Sequence, residues 1–361
     1  MAVNSAIIKI YTHKNRIITI GKIPERVNSF FQPLQPKNRE LADIRNCGVI
    51  CKNRVLFFQK ICYSFLYFRL PIPKNTVKKM ELKKNAQERI SRLIHQTAAK
   101  TPVFIRNIGA RLNPEAIFIC GNYKTGSSAI ASLLAIATRQ KKIVDLFWRT
   151  PGTTKRKLLA KELSLNWYIQ RYRYLFSKKI IKEPDLIFYM DELVSLFPHG
   201  QFVFLLRDPR DNIRSILSFL KLPGNLKDLT YQQIQNTPGS IWKIALEGTL
   251  FGTRGDNYIA TQAMRWNRIL DIYEQYRDKM ILLKYETFRQ DKIGTIHWLA
   301  EQLGLPIRGD IAPFLNRQYQ PKGEYPTSWL DFYGPENLAQ IESTCKNKME
   351  TYDYPLVLKS P

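Results

Sequence analysis

Residues 116–135 read AIFICGNYKTGSSAIASLLA, and this stretch limits the fold more than any other. Ala116–Cys120 is a short, uninterrupted apolar run, the pattern of a strand buried on both faces. Gly121 to Ser128 is a turn, and Ser128–Gln140 reads as a helix. The same texture recurs downstream. Phe202–Leu206 (FVFLL) is a second buried strand, followed by a helix over Asp211–Leu220. Shorter strands are expected at Ile143–Phe147, Ile180–Lys182 and Met280–Leu283. Asp256–Arg277 places Ile259, Ala263, Trp266, Leu270 and Tyr273 at helical spacing, and Ile293–Leu303 and Pro335–Met349 are further helices. Strands alternating with helices predict an α/β domain over residues 111–361, three layers deep, with a central parallel sheet flanked by helices.

The first 110 residues have a different texture. The chain carries 56 Lys and Arg against 30 Asp and Glu, a net +26. Residues 1–113 alone hold 22 basic and 5 acidic side chains, or +17. This basic N-terminal extension, 1–110, is expected to be partly helical or poorly ordered. Its most apolar stretch, Val55–Phe68, is broken by Gln59 and Lys60 and is too short to span a bilayer at about 20 residues per crossing. It reads as a buried helix or a disordered extension; the alternative is weak contact with a membrane surface. Met80 is an alternative start. Met1–Ile20 has no continuous apolar core of a secretory signal. The five cysteines, Cys47, Cys51, Cys62, Cys120 and Cys345, lack the spacing of a disulfide framework or a zinc set. The expectation is free thiols and a cytoplasmic location, with membrane association as the alternative.

The loop over Gly121–Ser128 can cradle an anion, because backbone N–H groups of such a turn and the helix N-terminus behind it point at one spot. Gly121 and Gly126 have the spacing of the nucleotide-triphosphate loop G-x-x-x-x-G-K-[ST], but Ser127 stands at its lysine position. The only lysine, Lys124, lies inside the loop. A nucleotide kinase-like enzyme is therefore a poor match. The second constellation is FVFLLRDPRDNIRSILSFL, with Arg207 at the carboxyl end of a buried strand and Ser215 in the helix that follows. Open α/β sheets bind ligands at that edge. Arg207 can offer a planar fork to a phosphate and Ser215 a hydroxyl.

Together these residues resemble the sulfotransferases that use 3′-phosphoadenylyl sulfate (PAPS), which have phosphate-loop topology like that of the P-loop NTPases. The resemblance implies that the loop, Gly121, Lys124, Thr125, Gly126, Ser127 and Ser128, holds the 5′-phosphosulfate. It implies that Arg207 and Ser215 hold the 3′-phosphate. Ile181-Lys182-Glu183-Pro184 resembles the family's Lys-x-Pro segment. Trp266 lies in the helix where relatives carry a tryptophan, and Leu282–Phe288 (LLKYETF) resembles a strand ending in Tyr-Glu-x-hydrophobic. Pro321–Pro326 resembles a Lys-Gly loop over the 3′-phosphate, through Lys322, with Glu324 where relatives often have Arg.

The activity so implied is in-line transfer of a sulfuryl group from PAPS, as co-substrate and without a metal, to a hydroxyl or amine of a small-molecule or carbohydrate acceptor. Lys124 is the expected stabiliser of charge on the leaving phosphate, and Lys182 a second cation. No histidine is well placed for a general base: His13 and His95 lie in the extension, His199 in a turn before a strand, and His297 on a late helix. Glu183 is the first candidate and Asp145 the next. The aromatic insert Asp145–Phe176 and the Gly-rich segment Leu222–Asn257 are expected to shape the acceptor site. A nucleic-acid-binding protein acting through the basic extension is the remaining alternative; no specific nucleic acid is expected. Acceptor identity and oligomeric state stay open.

Overall fold

The structure is a computed structural model, described here for residues 9–11, 17–19, 102–319 and 328–357. The chain divides into two compact units, Met1–Met80 and Glu81–Pro361. In the first, β1 (Lys9–Tyr11) and β2 (Ile17–Thr19) pair antiparallel. Expectations for Val55–Phe68, Met80, His13, His95, Cys47, Cys51, Cys62 and Lys322 fall outside the described residues.

The second unit is built on five parallel strands: β3 (Ile117–Gly121), β4 (Lys142–Val144), β5 (Ile180–Lys182), β6 (Gln201–Leu206) and β7 (Met280–Lys284). Their order is β4-β5-β3-β6-β7. The alternation of strand side chains fills both faces. Phe118 and Cys120 of β3, with Phe202, Phe204 and Leu206 of β6, enter one core. Ile117, Ile119, Val203 and Leu205 enter the other. The second core is closed by α1 (Ser127–Thr138) and Lys292–Gln302. The first is closed by α2 (Pro209–Leu220), α3 (Tyr258–Gln275) and α4 (Trp329–Thr351), the last kinked at Gly334. This is the expected three-layer α/β architecture of phosphate-loop topology.

Differences are local. The stretch LLKYETF leaves the sheet at Lys284, and Tyr285–Gln290 is a short helix, so Tyr285 and Glu286 stand beyond the strand end. Asp145–Phe176, read only as an aromatic insert, contains helices over Gly152–Leu159 and Leu165–Arg171. Ser240–Glu247, in the Gly-rich segment, is helical too. The unit is fastened upstream of residue 111: Arg106 Nη1 donates to Tyr174 Oη at 2.9 Å, and Asn107 Nδ2 to the Arg171 carbonyl at 2.9 Å.

The strand order places β3 between β5 and β6. The chain leaves β3 toward one side of the sheet and later returns on the other, so a crevice opens at the carboxyl ends of these three strands. Gly121, Lys182 and Leu206 end them.

Candidate active site

The loop after β3 is held close to β6. Gly121 has φ +143°, and a Cβ there would lie 2.6 Å from the Leu205 carbonyl oxygen. Lys124 itself is left-handed (φ 61°), and Gly126 (φ 79°) forms the N-cap of α1 against the Tyr285 ring. A network of fully buried polar groups fixes this path. Asp185 accepts from Tyr123 Oη and from Arg265 Nη2, the latter at 2.6 Å. Arg265 Nε donates to Asn122 Oδ1 at 3.1 Å. Asn122 Nδ2 donates to Asn212 Oδ1 at 2.8 Å, and Asn212 Nδ2 to the Tyr123 carbonyl at 2.6 Å. The Arg265 guanidinium also packs on the rings of Tyr123 and Phe251, at 4.5 and 4.2 Å. The loop is thus tied to the short helix Pro184–Tyr189 after β5, to α2 and to α3 at once.

Arg207 leaves the end of β6 and donates through Nη1 to the Lys124 carbonyl at 2.8 Å. Its guanidinium lies 4.5 Å from the centre of the Tyr285 ring, and its buried Nε has no protein partner. Trp266 Nε1 donates to the Arg207 carbonyl at 2.9 Å, which gives that tryptophan a bracing role. The next arginine turns inward. Arg210 forms a two-pronged pair with Asp208 and reaches Glu342 of α4 at 2.6 Å, under the Trp329 ring. So the Arg-Asp-Pro-Arg-Asp segment splits: Arg207 faces the crevice, and Arg210 clamps α4.

Two cavities meet at Lys124. The larger, about 540 Å³, runs past Gly126, Ser128, Arg207, Ser215 and Tyr285. Arg214, Arg289, Lys292 and Arg317 also line it, with Asp211 the one carboxylate among its lining residues. Such a surface suits a ligand with several negative charges. The smaller, about 60 Å³, is lined by Tyr123, Lys124, Asp145, Phe147, Trp148, Lys182, Glu183, Pro184, Phe219, Ile241 and Trp242. The insert thereby supplies Phe147 and Trp148, and the Gly-rich segment Ile241 and Trp242. Tyr168 and Tyr172 of the insert belong to the core instead.

The electrostatics on either side of Lys124 are opposed. Lys124 Nζ sits 4.5 Å above the Phe219 ring. Burial, followed by the charges of Arg207 and Lys182, pulls its ammonium down to about 8. Lys182, 2 % exposed, is paired to Asp145 at 2.5 Å. Glu183, 4 % exposed, accepts from the Phe147 N–H at 2.9 Å. Burial, then the neighbouring Asp185, pushes its carboxyl up to about 8, against the pull of Lys182 and that N–H.

The structure therefore brings Lys124, Lys182 and Glu183 to one cavity, and Lys124, Gly126, Ser128, Arg207 and Ser215 to the other. Thr125 and Ser127 are buried beneath the loop, with the Thr125 hydroxyl donating to the Asn122 carbonyl at 2.9 Å. His199 lies in the turn before β6, at the opposite end of that strand from Arg207. Sequence reasoning missed Asn122, Tyr123, Asp185, Asn212 and Arg265 as one unit, and Arg214, Arg289, Lys292 and Arg317 as cleft cations. Among the described residues no cluster of three His, Cys, Asp or Glu could hold a metal, and no helix is long and apolar enough to cross a membrane.

Residues 136–309, from within α1 to just beyond the helix Lys292–Gln302, match the family model described as the sulfotransferase family. That span is just under half of the chain, and over it the sequence is similar to the sulfotransferase family. The matched span contains Lys182, Glu183, Arg207 and Ser215 and begins after the loop. No curated protein matches the sequence. Among solved structures, the chain is similar to sulfotransferase STF1 from Mycobacterium tuberculosis H37Rv, at 14 % identity and TM-score 0.40, over 67 % of this chain and 78 % of that one. It is similar to sulfotransferase STF9 from Mycobacterium avium, at 13 % and 0.42, over 70 % and 80 %. Mouse sulfotransferase SULT7A1, complexed with PAP, follows at 12 % and 0.41, over 71 % and 91 %.

Proposed function

We propose that this chain is a sulfotransferase that moves a sulfuryl group from PAPS to an acceptor hydroxyl, with residues 111–361 as the catalytic domain. The observation that carries the reading is the position of Lys124, the one residue shared by the large cationic cleft and the small carboxylate-bearing cavity. A bisphosphorylated nucleotide fits the cleft by its chemistry: the buried Nε of Arg207 lacks a protein partner, and Gly126 begins α1 with no side-chain cap. In this reading Arg207 and Ser215 hold the 3′-phosphate, and the loop from Gly121 to Ser128 the 5′-phosphosulfate. Arg214, Arg289, Lys292 and Arg317 add long-range attraction.

In-line displacement passes through a loose transition state, so positioned charge supplies most of the catalysis. Lys124 meets the negative charge that grows on the leaving 5′-phosphate oxygen. Lys182, held by Asp145, faces the transferred group from the acceptor side. Glu183 takes the hydroxyl proton, and its raised pKa makes its carboxylate a stronger base than an exposed one. A kinase-like reading lacks the loop lysine that would stand at Ser127.

The test is formation of PAP from labelled PAPS at pH 8, with an added alcohol as acceptor. Lys124→Met is expected to lower turnover by about 10²–10³-fold, the cost of losing one transition-state donor, equivalent to about 2.7–4 kcal/mol. Unchanged turnover in that variant would remove Lys124 from the mechanism.

A further inference from the structure

The acceptor cavity is small, and its size selects among alcohols. Its volume is about 60 Å³. An apolar cavity that takes up benzene measures about 150 Å³. A six-membered ring therefore does not fit beside Lys182 and Glu183, whereas an arm of a few atoms does. The walls are braced against widening. Trp242 is wedged between Tyr123 and Phe219, with ring centres at 4.7 and 5.2 Å, and is 6 % exposed. Trp148 is different: it lines the cavity yet is 59 % exposed, so its ring offers an outward face to whatever stays outside.

Lys124 and Lys182 both line the cavity, with Lys182 paired to Asp145 and Glu183 beside them, so a hydroxyl entering it meets both a cation and a carboxylate.

Resting on the sulfotransferase reading, we propose that the acceptor is a primary alcohol on a slender arm, its larger body held outside the cavity against Trp148. The hydroxyl oxygen attacks sulfur and forms the new O–S bond. The S–O bond to the 5′-phosphate breaks, and its electron pair leaves with PAP. The hydroxyl proton passes to the Glu183 carboxylate. A hydroxyl borne directly on a ring cannot bring its oxygen to the sulfur without placing the ring inside the walls.

Isomeric pairs test this at equal size and polarity. Benzyl alcohol against p-cresol, and cyclohexylmethanol against 4-methylcyclohexanol, are supplied with saturating PAPS, and PAP formation is followed. Wild type is expected to turn over the hydroxymethyl member of each pair at least about tenfold faster. For the aromatic pair this runs against the greater acidity of the phenol. Trp242→Ala, which widens the cavity, is expected to shrink or reverse the preference. Equal or faster turnover of the ring-borne hydroxyls by wild type, or no PAP formation above the rate in water from any of the four, overturns the proposal. PAP binding measured on the same samples separates the two failures. Binding without the preference removes the acceptor inference alone, and no PAP binding by folded protein removes the sulfotransferase reading as well.

Discussion

At the scale of single residues the site depends on two side chains that titrate far from their ordinary ranges in opposite directions. Glu183 holds its proton up to about pH 8 and Lys124 loses its own near the same value, so sulfuryl transfer should follow a bell-shaped pH profile near 8, with Lys124 setting the falling limb and Glu183 the rising limb. Glu183→Gln should abolish that limb and lower the rate by about 10²–10⁴-fold, the usual contribution of a positioned base. The same shift has a stability signature. Unfolded chains release this proton near the ordinary carboxyl pKa, about 4.3, while the folded protein retains it to about 8. The wild-type fold therefore loses stability progressively as pH rises between those values, and Glu183→Gln should lose less over the same window in thermal unfolding. A thermal midpoint with the same pH dependence in both proteins would contradict this account of Glu183. Glu183 was legible in sequence only as the neighbour of Lys182 in Ile-Lys-Glu-Pro. Its burial beside Asp185 was not, since nothing in local spacing reports depth.

At the scale of elements, the loop and its supports behave as one piece. Asp185 and Arg265 are both fully buried and paired at 2.6 Å. Removing one partner strands the other charge, so Arg265→Met should cost about 3–5 kcal/mol in chemical denaturation. Arg265→Met combined with Asp185→Asn should recover a large part of that loss, because no bare charge remains. If the double variant is no more stable than Arg265→Met, the charge pair is not what holds the loop. Four of the five strands were legible as short apolar runs, and Ile180–Lys182 fell where expected, whereas the strand expected over Ile143–Phe147 ends at Val144 and Leu146–Arg149 turns away as a short helix. The loop's lock was not. Residues 122, 123, 185, 212 and 265 come from four separate segments, and no periodicity links them. Arg210 shows the same limit, since its motif is local but its partner Glu342 lies 132 residues on. The helix over Leu165–Arg171 escaped notice because its aromatic residues suggested a pocket, whereas Tyr168 packs into the core.

At the scale of the whole molecule, charge and topology converge on one edge of the sheet. The parallel order sets the loop, Arg207 and Lys182 at neighbouring strand ends, and the segments beyond β6 and β7 add the remaining cations. The sequence showed that the chain is basic, with most of the excess in the first third. It could not show that Arg214, Arg289, Lys292 and Arg317, spread over about a hundred positions, share one cleft. This cleft is proposed to read a 3′-phosphorylated adenine nucleotide. The most direct test is calorimetric titration of the full chain with PAP, AMP and ATP, repeated for Arg207→Ala. Tight, saturable binding of PAP is expected, with much weaker binding of AMP and ATP, and PAP affinity reduced about 10–150-fold in Arg207→Ala, the loss of a charged hydrogen bond worth about 1.5–3 kcal/mol. ATP binding as tight as PAP, or PAP affinity untouched by Arg207→Ala in folded protein, would contradict it.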